Sequence, residues 1–273
     1  MTFSVVGRSA DGAALGVAVA SKFLGVGAAV PAAEAGVGAI ATQSYANLAY
    51  RPDGLALLRD GRCAQDTLDA LVAADDGRAQ RQAGVVDARG GSATYTGGGC
   101  HEWAGGRAGD GYAVQGNILV GPQVVEAMEA AWLGYADDAS DLPARLLATL
   151  AAGDDAGGDR RGRQSAALLV VRASSGYGGQ SDVEVDLRVD DHVTPVPELS
   201  RLLDLHRLYF GTPDPATLMV LDGELATEVT RRLQELGYAS LDDWAGVENF
   251  EERLVPDRID PPVLEHLRAQ TGG

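Results

Sequence analysis

Cysteine is scarce in this sequence, and its scarcity excludes two kinds of small-protein architecture. The 273 residues contain only Cys63 and Cys100. Two cysteines are too few for a disulfide scaffold, and these two lack the spacing of a zinc site. We therefore expect reduced thiols and no metal centre, and we predict no cofactor.

Basic residues are also few. The chain has 22 Lys and Arg against 39 Asp and Glu, a formal net charge of −17, and Lys22 is its only lysine. No basic run is longer than Arg160-Arg161, which has Arg163 nearby, whereas binding to phosphates needs a basic surface. The composition therefore argues against nucleic acid or an anionic membrane as a partner.

Long apolar runs and a signal peptide are missing as well. The most apolar stretch, Leu24 to Gln43, is interrupted by Pro31, Glu34 and several glycines, so it lacks the pattern of a transmembrane helix. The first residues lack the charged start and the long apolar stretch of a signal peptide. We expect a cytoplasmic protein.

The elements that the sequence does predict come in blocks. Strands are predicted in pairs around tight turns, such as Phe3–Arg8 and Leu15–Ser21 around Ser9–Gly12. Paired strands between blocks of helices favour two antiparallel sheets between helical layers over a parallel sheet. The predicted fold class is α+β: a four-layer α-β-β-α sandwich followed by a small helical C-terminal region.

A linker divides the chain near its end. Residues 211–215 combine Gly, Thr, Pro and Asp, and beyond them Gly223–Leu236 is predicted as an amphipathic helix that stops at Gly237. We predict one domain over residues 1–210 and a small helical domain over residues 211–273.

Two local predictions concern the first domain. Asp53 is predicted to cap a helix over Gly54–Arg59. Arg107–Gly111 is predicted as a loop that helps to shape a pocket.

The position of Thr2, directly after Met1, suggests a catalytic role for this residue. Removal of Met1 would give Thr2 a free α-amine, whose ordinary pKa of about 7.7–8.0 leaves part of it neutral near pH 7. Such an amine can serve as the base for the hydroxyl of its own residue. Thr2 is therefore a candidate nucleophile.

The start of the chain resembles the first hairpin of proteasome-type N-terminal-nucleophile hydrolases. Those proteins begin with Thr, turn at an Asp-Gly or similar pair and return along a strand of small apolar residues; here the same order is Thr2, Asp11-Gly12 and Leu15–Ser21. The chain is still more similar to a bacterial family known as domain of unknown function 1028, which is assigned to the same superfamily. That similarity covers nearly all of the first predicted domain, over these stretches: Thr2–Val6, Gly16–Phe23, Gly36–Asn47, Gly111–Leu119, Gln164–Leu168 and Asp186–His192.

The resemblance implies the N-terminal-nucleophile fold with Thr2 at the nucleophile position, and the chain departs from the proteasome pattern at two points. Ser21 stands where those enzymes have an Asp, and the predicted third strand, Gly36–Gln43, has no lysine. Lys22 could reach the nucleophile from the end of the second strand. Adjacent strand residues face opposite sides, however, so Ser21 and Lys22 are not both expected to point at Thr2.

Amide and aromatic side chains supply the remaining candidates. Asn117 and Asn47 are candidate oxyanion donors, since acyl transfer needs preorganised N–H groups. We group Asn47 with four other predicted substrate-binding residues. These five residues are Ser21, Gln43, Tyr45, Asn47 and Gln115. Lys22 and Asn117 join Thr2 as predicted catalytic residues.

Two other constellations have competing explanations. Five residues between 182 and 192 could bind a divalent cation: Asp182, Asp186, Asp190, Asp191 and His192. The alternation over Val183–Val189 favours instead the polar face of a half-exposed strand. Cys100-His101 is interpreted as a structural cysteine, because adjacent residues on a strand diverge.

The predicted function is hydrolysis of an amide C–N bond of a small molecule, with Thr2 as nucleophile and its α-amine as base once Met1 is removed. We expect a homodimer. The alternatives are a non-catalytic binding or assembly protein on the same scaffold, and a metal-dependent hydrolase using the cluster between Asp182 and His192. The segment Gly223–Tyr238 resembles the first helix of small peptidoglycan-binding modules.

Overall fold

The chain divides into two compact units, Met1–Leu202 and Leu203–Gly273. The computed structural model describes residues 2–135 and 140–272 of them. The division falls within a single helix, Pro195–Phe210.

Two antiparallel sheets form the centre of the first unit. Their described strands are β1 (Thr2–Arg8), β2 (Ala14–Ser21), β3 (Pro31–Glu34), β4 (Gly38–Ser44), β5 (Arg81–Asp87), β6 (Ser92–Thr96), β7 (Gly105–Gly109), β8 (Tyr112–Asn117), β9 (Ser165–Arg172) and β10 (Val183–Val189). One sheet has the strand order β10-β9-β2-β1-β8-β7, and the other has the order β3-β4-β5-β6. Each neighbouring pair is antiparallel.

Five described α-helices of the first unit lie between or after these strands along the chain. They are α1 (Tyr50–Arg59), α2 (Ala64–Ala73), α3 (Gln123–Leu133), α4 (Leu142–Asp155) and α5 (Pro195–Phe210). Among the described residues, no helix combines the length and the apolar character that spanning a bilayer requires.

The two sheets pack against one another through small apolar side chains. Val6, Val17 and Val19 of the six-stranded sheet share a buried cluster with Ala41 and Val86 of the four-stranded sheet. On its other face, β2 contacts α4. All eight residues of β2 are therefore buried, which explains why its sequence shows no alternation of polar and apolar residues.

Helices contact both sheets. α1 and α2 contact the four-stranded sheet, where Ile40, Val85, Leu58 and Leu68 share a second apolar cluster. α3 and α4 contact strands of the six-stranded sheet and each other. The chain is thus α+β with antiparallel sheets, as predicted.

Two local predictions are wrong. Gly105–Gly109, part of which was expected to lie in a loop, is the edge strand β7. Its sequence has little strand propensity, and its pairing with β8 overrides that preference. The first helix begins at Tyr50, so Asp53 does not cap it and lies instead in its first turn, where a carboxylate favours the helix dipole.

The second unit is helical, as predicted. Its helices are α6 (Gly223–Leu236), α7 (Leu241–Glu248) and α8 (Pro261–Thr271). A short strand pair joins β11 (Met219–Val220), which precedes α6, to β12 (Arg258–Ile259), which lies between α7 and α8. Gly237 directly follows α6 and caps its end, with a φ of 85° in the left-handed conformation that glycine adopts easily. Trp244, Phe250 and Leu267 are fully buried in its core.

Candidate active site

Polar residues form a row across one end of the six-stranded sheet. Thr2 pairs with Asn117 of β8, and Ser21 pairs with Ser165 of β9. The hydroxyl oxygens of Thr2 and Ser21 are 3.1 Å apart, which joins the two pairs. All four residues are buried, and Thr2 keeps 7% of its surface exposed. Side chains that pair directly share a face of a sheet, and this face is the one turned toward the four-stranded sheet.

The main-chain carbonyl of Thr2 is held by two amides. Gln43 Nε2 donates to it at 3.3 Å, and Asn117 Nδ2 donates to it at 3.4 Å. Gln43 lies on β4, so this contact ties the nucleophile candidate to the opposite sheet. Both amides also donate to Gln82 Oε1, at 2.8 Å from Gln43 and 2.9 Å from Asn117.

Gln82 has one possible orientation. Its Nε2 donates to the carbonyl oxygens of Gly116 and Gly105, at 2.7 and 3.2 Å, and to Thr96 Oγ1 at 2.9 Å. Carbonyl oxygens can only accept, so the NH₂ group of Gln82 must face them. Its Oε1 must then face Gln43 and Asn117.

The same network continues between the sheets. Ser4 Oγ donates to Gln43 Oε1 at 2.7 Å, and Gln115 Nε2 donates to Ser4 Oγ at 2.7 Å. Gln115 fits because residue 84 is glycine: a Cβ there would lie 2.2 Å from Gln115 Oε1. The amides of Gln43 and Gln115, both predicted to bind substrate, are thus buried and used in contacts between the two sheets.

Asn117 was predicted as an oxyanion donor, and the structure gives its NH₂ group other partners. Its two N–H groups have two acceptors, Thr2 O and Gln82 Oε1. In this arrangement, the Asn117 side chain holds the main chain of Thr2 through its carbonyl.

Lys22 lies beyond the row. Its side chain is exposed, and its backbone N–H donates to Asp159 Oδ2 at 2.8 Å. Asp159 is itself buried and paired with Arg161 at 3.3 Å. The sequence did not single out Asp159, because 137 residues separate it from Lys22.

Tyr45 and Asn47 follow β4 and have partners of their own. Tyr45 is exposed, and its hydroxyl lies 3.3 Å from His101 Nε2, within hydrogen-bond distance. The tautomer of His101 decides which of the two groups donates. Asn47 Nδ2 donates to Asp75 Oδ2 at 3.0 Å. Asp75 also accepts from Arg81 Nε at 2.8 Å, and this guanidinium holds the pKa of Asp75 far below its usual range.

A cavity of about 420 Å³ lies beside this second group of residues. It is lined by Asn47, Tyr50 and Asp75 together with side chains of α1 and α2. Burial, and then the neighbouring Asp75, raises the pKa of Tyr50. Asn47 therefore contributes to this outer cavity.

The backbone is strained where two strands end, at the end of the two sheets that carries Thr2. Ser44 at the end of β4 has a φ of 64°, and Ile118 directly after β8 has a φ of 49°. A β-branched residue adopts this left-handed region only when its surroundings hold it there. Ile118 is held by hydrogen bonds of its N–H to His101 O and of its carbonyl to Arg160 N–H.

The cation cluster proposed from the sequence is not assembled. Within residues 2–135 and 140–272, no three His, Cys, Asp or Glu side chains gather to hold a metal ion. Asp186 pairs with Arg188, and Asp191 accepts from Gln164. The Cys100 thiol donates to Arg81 O at 3.3 Å rather than to a histidine.

The first unit is an α+β fold with antiparallel sheets, and comparison with known proteins identifies its family. Residues 2–199 match the family of unknown function DUF1028, and the chain belongs to that family. Residues 209–267 match a second model, described as "Putative peptidoglycan binding domain".

Solved structures include relatives of the chain. A crystal structure of protein SPO2555 from Silicibacter pomeroyi, described with the same DUF1028 family, is 28% identical with a TM-score of 0.67, covering 83% of this chain and 92% of that chain. Anbu, the ancestral beta-subunit from Yersinia bercovieri, is 11% identical with a TM-score of 0.34 over 74% of this chain and 93% of that chain, which is too distant to support an inference. No curated protein matches.

Proposed function

We propose that the first unit is a four-layer α-β-β-α sandwich of the N-terminal-nucleophile type that cleaves an amide C–N bond of a small molecule. Thr2 is the nucleophile in this proposal. The observation that carries it is the placement of the Thr2 hydroxyl, 3.1 Å from Ser21 Oγ and at the end of the sheet where β2 and β8 also end.

The proposed reaction uses the α-amine that removal of Met1 creates; Met1 itself lies outside the described residues. The neutral amine accepts the proton of Thr2 Oγ1 while that oxygen attacks the carbonyl carbon of the substrate. The C–N bond then breaks, and the departing nitrogen takes the proton from the ammonium group. Water, deprotonated by the same amine, hydrolyses the acyl ester and restores the hydroxyl.

The surrounding residues receive positioning roles. Ser21 orients the Thr2 hydroxyl through their contact. Gln43 and Asn117 hold the Thr2 carbonyl. Lys22 receives no catalytic role in this proposal, because its side chain is exposed.

The test combines intact mass with acylation by a β-lactone, an electrophile that reacts with N-terminal threonine. We expect protein purified from its native host to lack the mass of Met1 and to carry a single adduct that peptide mapping places on Thr2. Thr2→Ala should abolish the adduct, and Thr2→Ser should retain it.

A buried threonine elsewhere provides the matched control. Thr149 in α4 is fully buried, and its hydroxyl donates to Arg145 O. Thr149→Ala should therefore lower stability and leave the labelling of Thr2 unchanged. Retention of Met1, or equal labelling of the Thr2→Ala protein, would contradict the proposal.

A second candidate is a binding or assembly protein on the same scaffold. The match of residues 209–267 to a peptidoglycan-binding model favours it, because a binding module would then accompany the first unit. Retention of Met1, together with co-sedimentation of the protein with purified peptidoglycan, would support this candidate.

Cytoplasmic location and a homodimer stay predictions. Light scattering after gel filtration tests the dimer.

A further inference from the structure

The carbonyl of Thr2 faces the positive ends of two neutral dipoles. Gln43 Nε2 and Asn117 Nδ2 both point their N–H groups at it. The α-amine of processed Thr2 is two bonds from that carbonyl carbon, so it lies in the same field. Positive dipole ends disfavour a positive charge nearby, and the neutral form of an amine is the form that acts as a base.

The direction of both dipoles depends on Gln82. A free amide can rotate to present either its oxygen or its nitrogen. Gln82 Oε1 accepts from Gln43 and Asn117 together, and main-chain carbonyls at Gly105 and Gly116 prevent Gln82 from turning over. Gln82 is fully buried, so water does not compete for these contacts.

Several charged groups at this end of the sandwich are paired with one another. Asp159 is paired with Arg161 beyond β2, and Asp75 is paired with Arg81 at the ends of β4 and β5. His101 contacts Tyr45. Lys22, the only lysine in the chain, is exposed.

We propose that Gln82 is a positioning residue that locks the amides of Gln43 and Asn117 with their N–H groups toward Thr2, and so keeps the α-amine of processed Thr2 in its neutral, basic form. This inference rests on the proposed function. In this arrangement, neutral amide dipoles disfavour protonation of the α-amine, as the positive charge of a buried lysine would also do.

The experiment uses the full chain, free of Met1, with isotope-labelled threonine. NMR titration of the Thr2 resonances gives the pKa of the α-amine directly, and β-lactone labelling is followed over the same pH range. In Gln82→Met, a substitution of similar volume without hydrogen bonds, we expect the pKa of the amine to rise. A rise of one unit lowers the neutral fraction, and hence the labelling rate below the midpoint, about tenfold.

Thr94→Val is the matched control. Thr94 Oγ1 donates to Gln115 Oε1 in the same network and to Ala83 O, so its hydrogen bonds are to neither Thr2 nor Gln82. Thr94→Val should lower stability and leave both pH midpoints at their wild-type values. A loss of packing alone would lower stability in both variants without moving a midpoint.

The outcomes separate this inference from the proposed function. If wild-type protein is labelled and folded Gln82→Met shows the same two midpoints, the role of Gln82 is wrong. If wild-type protein is not labelled, the hydrolase proposal fails, while the NMR titration still decides the role of Gln82. If Gln82→Met does not fold, Gln43→Met removes one of the two donors, and an unchanged amine pKa in that variant overturns the inference.

Discussion

The carboxylate of Asp75 is held by hydrogen bonds from several neighbouring groups. Its carboxylate accepts from Arg81 Nε, Asn47 Nδ2 and the N–H of Gly77, and only 8% of its side chain is exposed. Removal of one partner from such a pair leaves the other charge poorly solvated. Asp75 therefore stabilises the ends of β4 and β5 through its ionised form.

Asp75→Asn should lower the free energy of unfolding at pH 7 by about 1–3 kcal/mol. The pKa of folded Asp75 lies below that of an unfolded Asp, about 3.9, so the stabilisation is complete above that value and is lost as the pH falls toward the folded pKa. Urea unfolding at several pH values should thus show a gap between wild type and variant that is constant from pH 5 to 8 and narrows below about pH 4.

The neighbouring Asp76 provides the comparison. Its side chain is exposed, and exposed ion pairs contribute little to stability. Asp76→Asn should follow the wild-type curve at every pH. A gap for Asp75→Asn that stayed constant down to pH 3 would contradict an ionic origin.

At the residue scale, the sequence showed which polar residues to consider but not how they connect. The structure brings Thr2, Ser21, Gln43 and Asn117 together, whereas Tyr45 and Asn47 contact other groups. Gln82 was missed because a glutamine at the start of a strand carries no local signal. Its importance arises from contacts with residues 34 to 39 positions away.

At the scale of elements, strand β1 depends on a glycine for its contact with the helices. A Cβ at Gly7 would lie 2.4 Å from Trp132 Cη2 and 3.1 Å from Leu146 Cδ2. Trp132 is fully buried between α3 and the sheet. The indole therefore occupies the space that a side chain at position 7 would need.

Gly7→Ala should lower the free energy of unfolding by about 1–3 kcal/mol, since overpacking forces a buried ring out of place. Near-ultraviolet circular dichroism should also change, because the environment of Trp132 changes. Gly98→Ala is the matched control: no atom lies within 4 Å of its added Cβ, and its stability should stay within about 0.5 kcal/mol of wild type. Equal stability of the two variants would show that the helix layer adapts.

Elements with regular patterns were predictable from the sequence, and the others depended on their neighbours. Ser92–Thr96, Val183–Val189 and Gly223–Leu236 occur as their patterns indicate. β3 (Pro31–Glu34) and β7 (Gly105–Gly109) are strands that local sequence does not favour, and both are edge strands. Their partners in the sheet supply the hydrogen bonds and burial that propensity does not.

At the scale of the whole molecule, the place of the division between the units has a physical basis. The sequence predicts a boundary after residue 210, at the start of the Gly- and Pro-containing segment. In the structure, Leu208 and Tyr209 at the end of α5 pack against the core of the second unit. The Arg253 guanidinium donates to the carbonyls of Leu208 and Arg207 and pairs with Asp260.

A fragment of residues 203–273 should therefore fold cooperatively, and a fragment of residues 211–273 should be less stable by about 2 kcal/mol or more, because it loses the burial of two large side chains. Trp244 is the only tryptophan in either fragment, so its fluorescence in urea reports on this core alone. Phe250 stacks on Trp244 with ring centroids 5.8 Å apart, and Phe250→Ala in the longer fragment should cost about 3–5 kcal/mol. Equal midpoints for the two fragments would place the boundary after residue 210, because the last turns of α5 would then add nothing to the second unit.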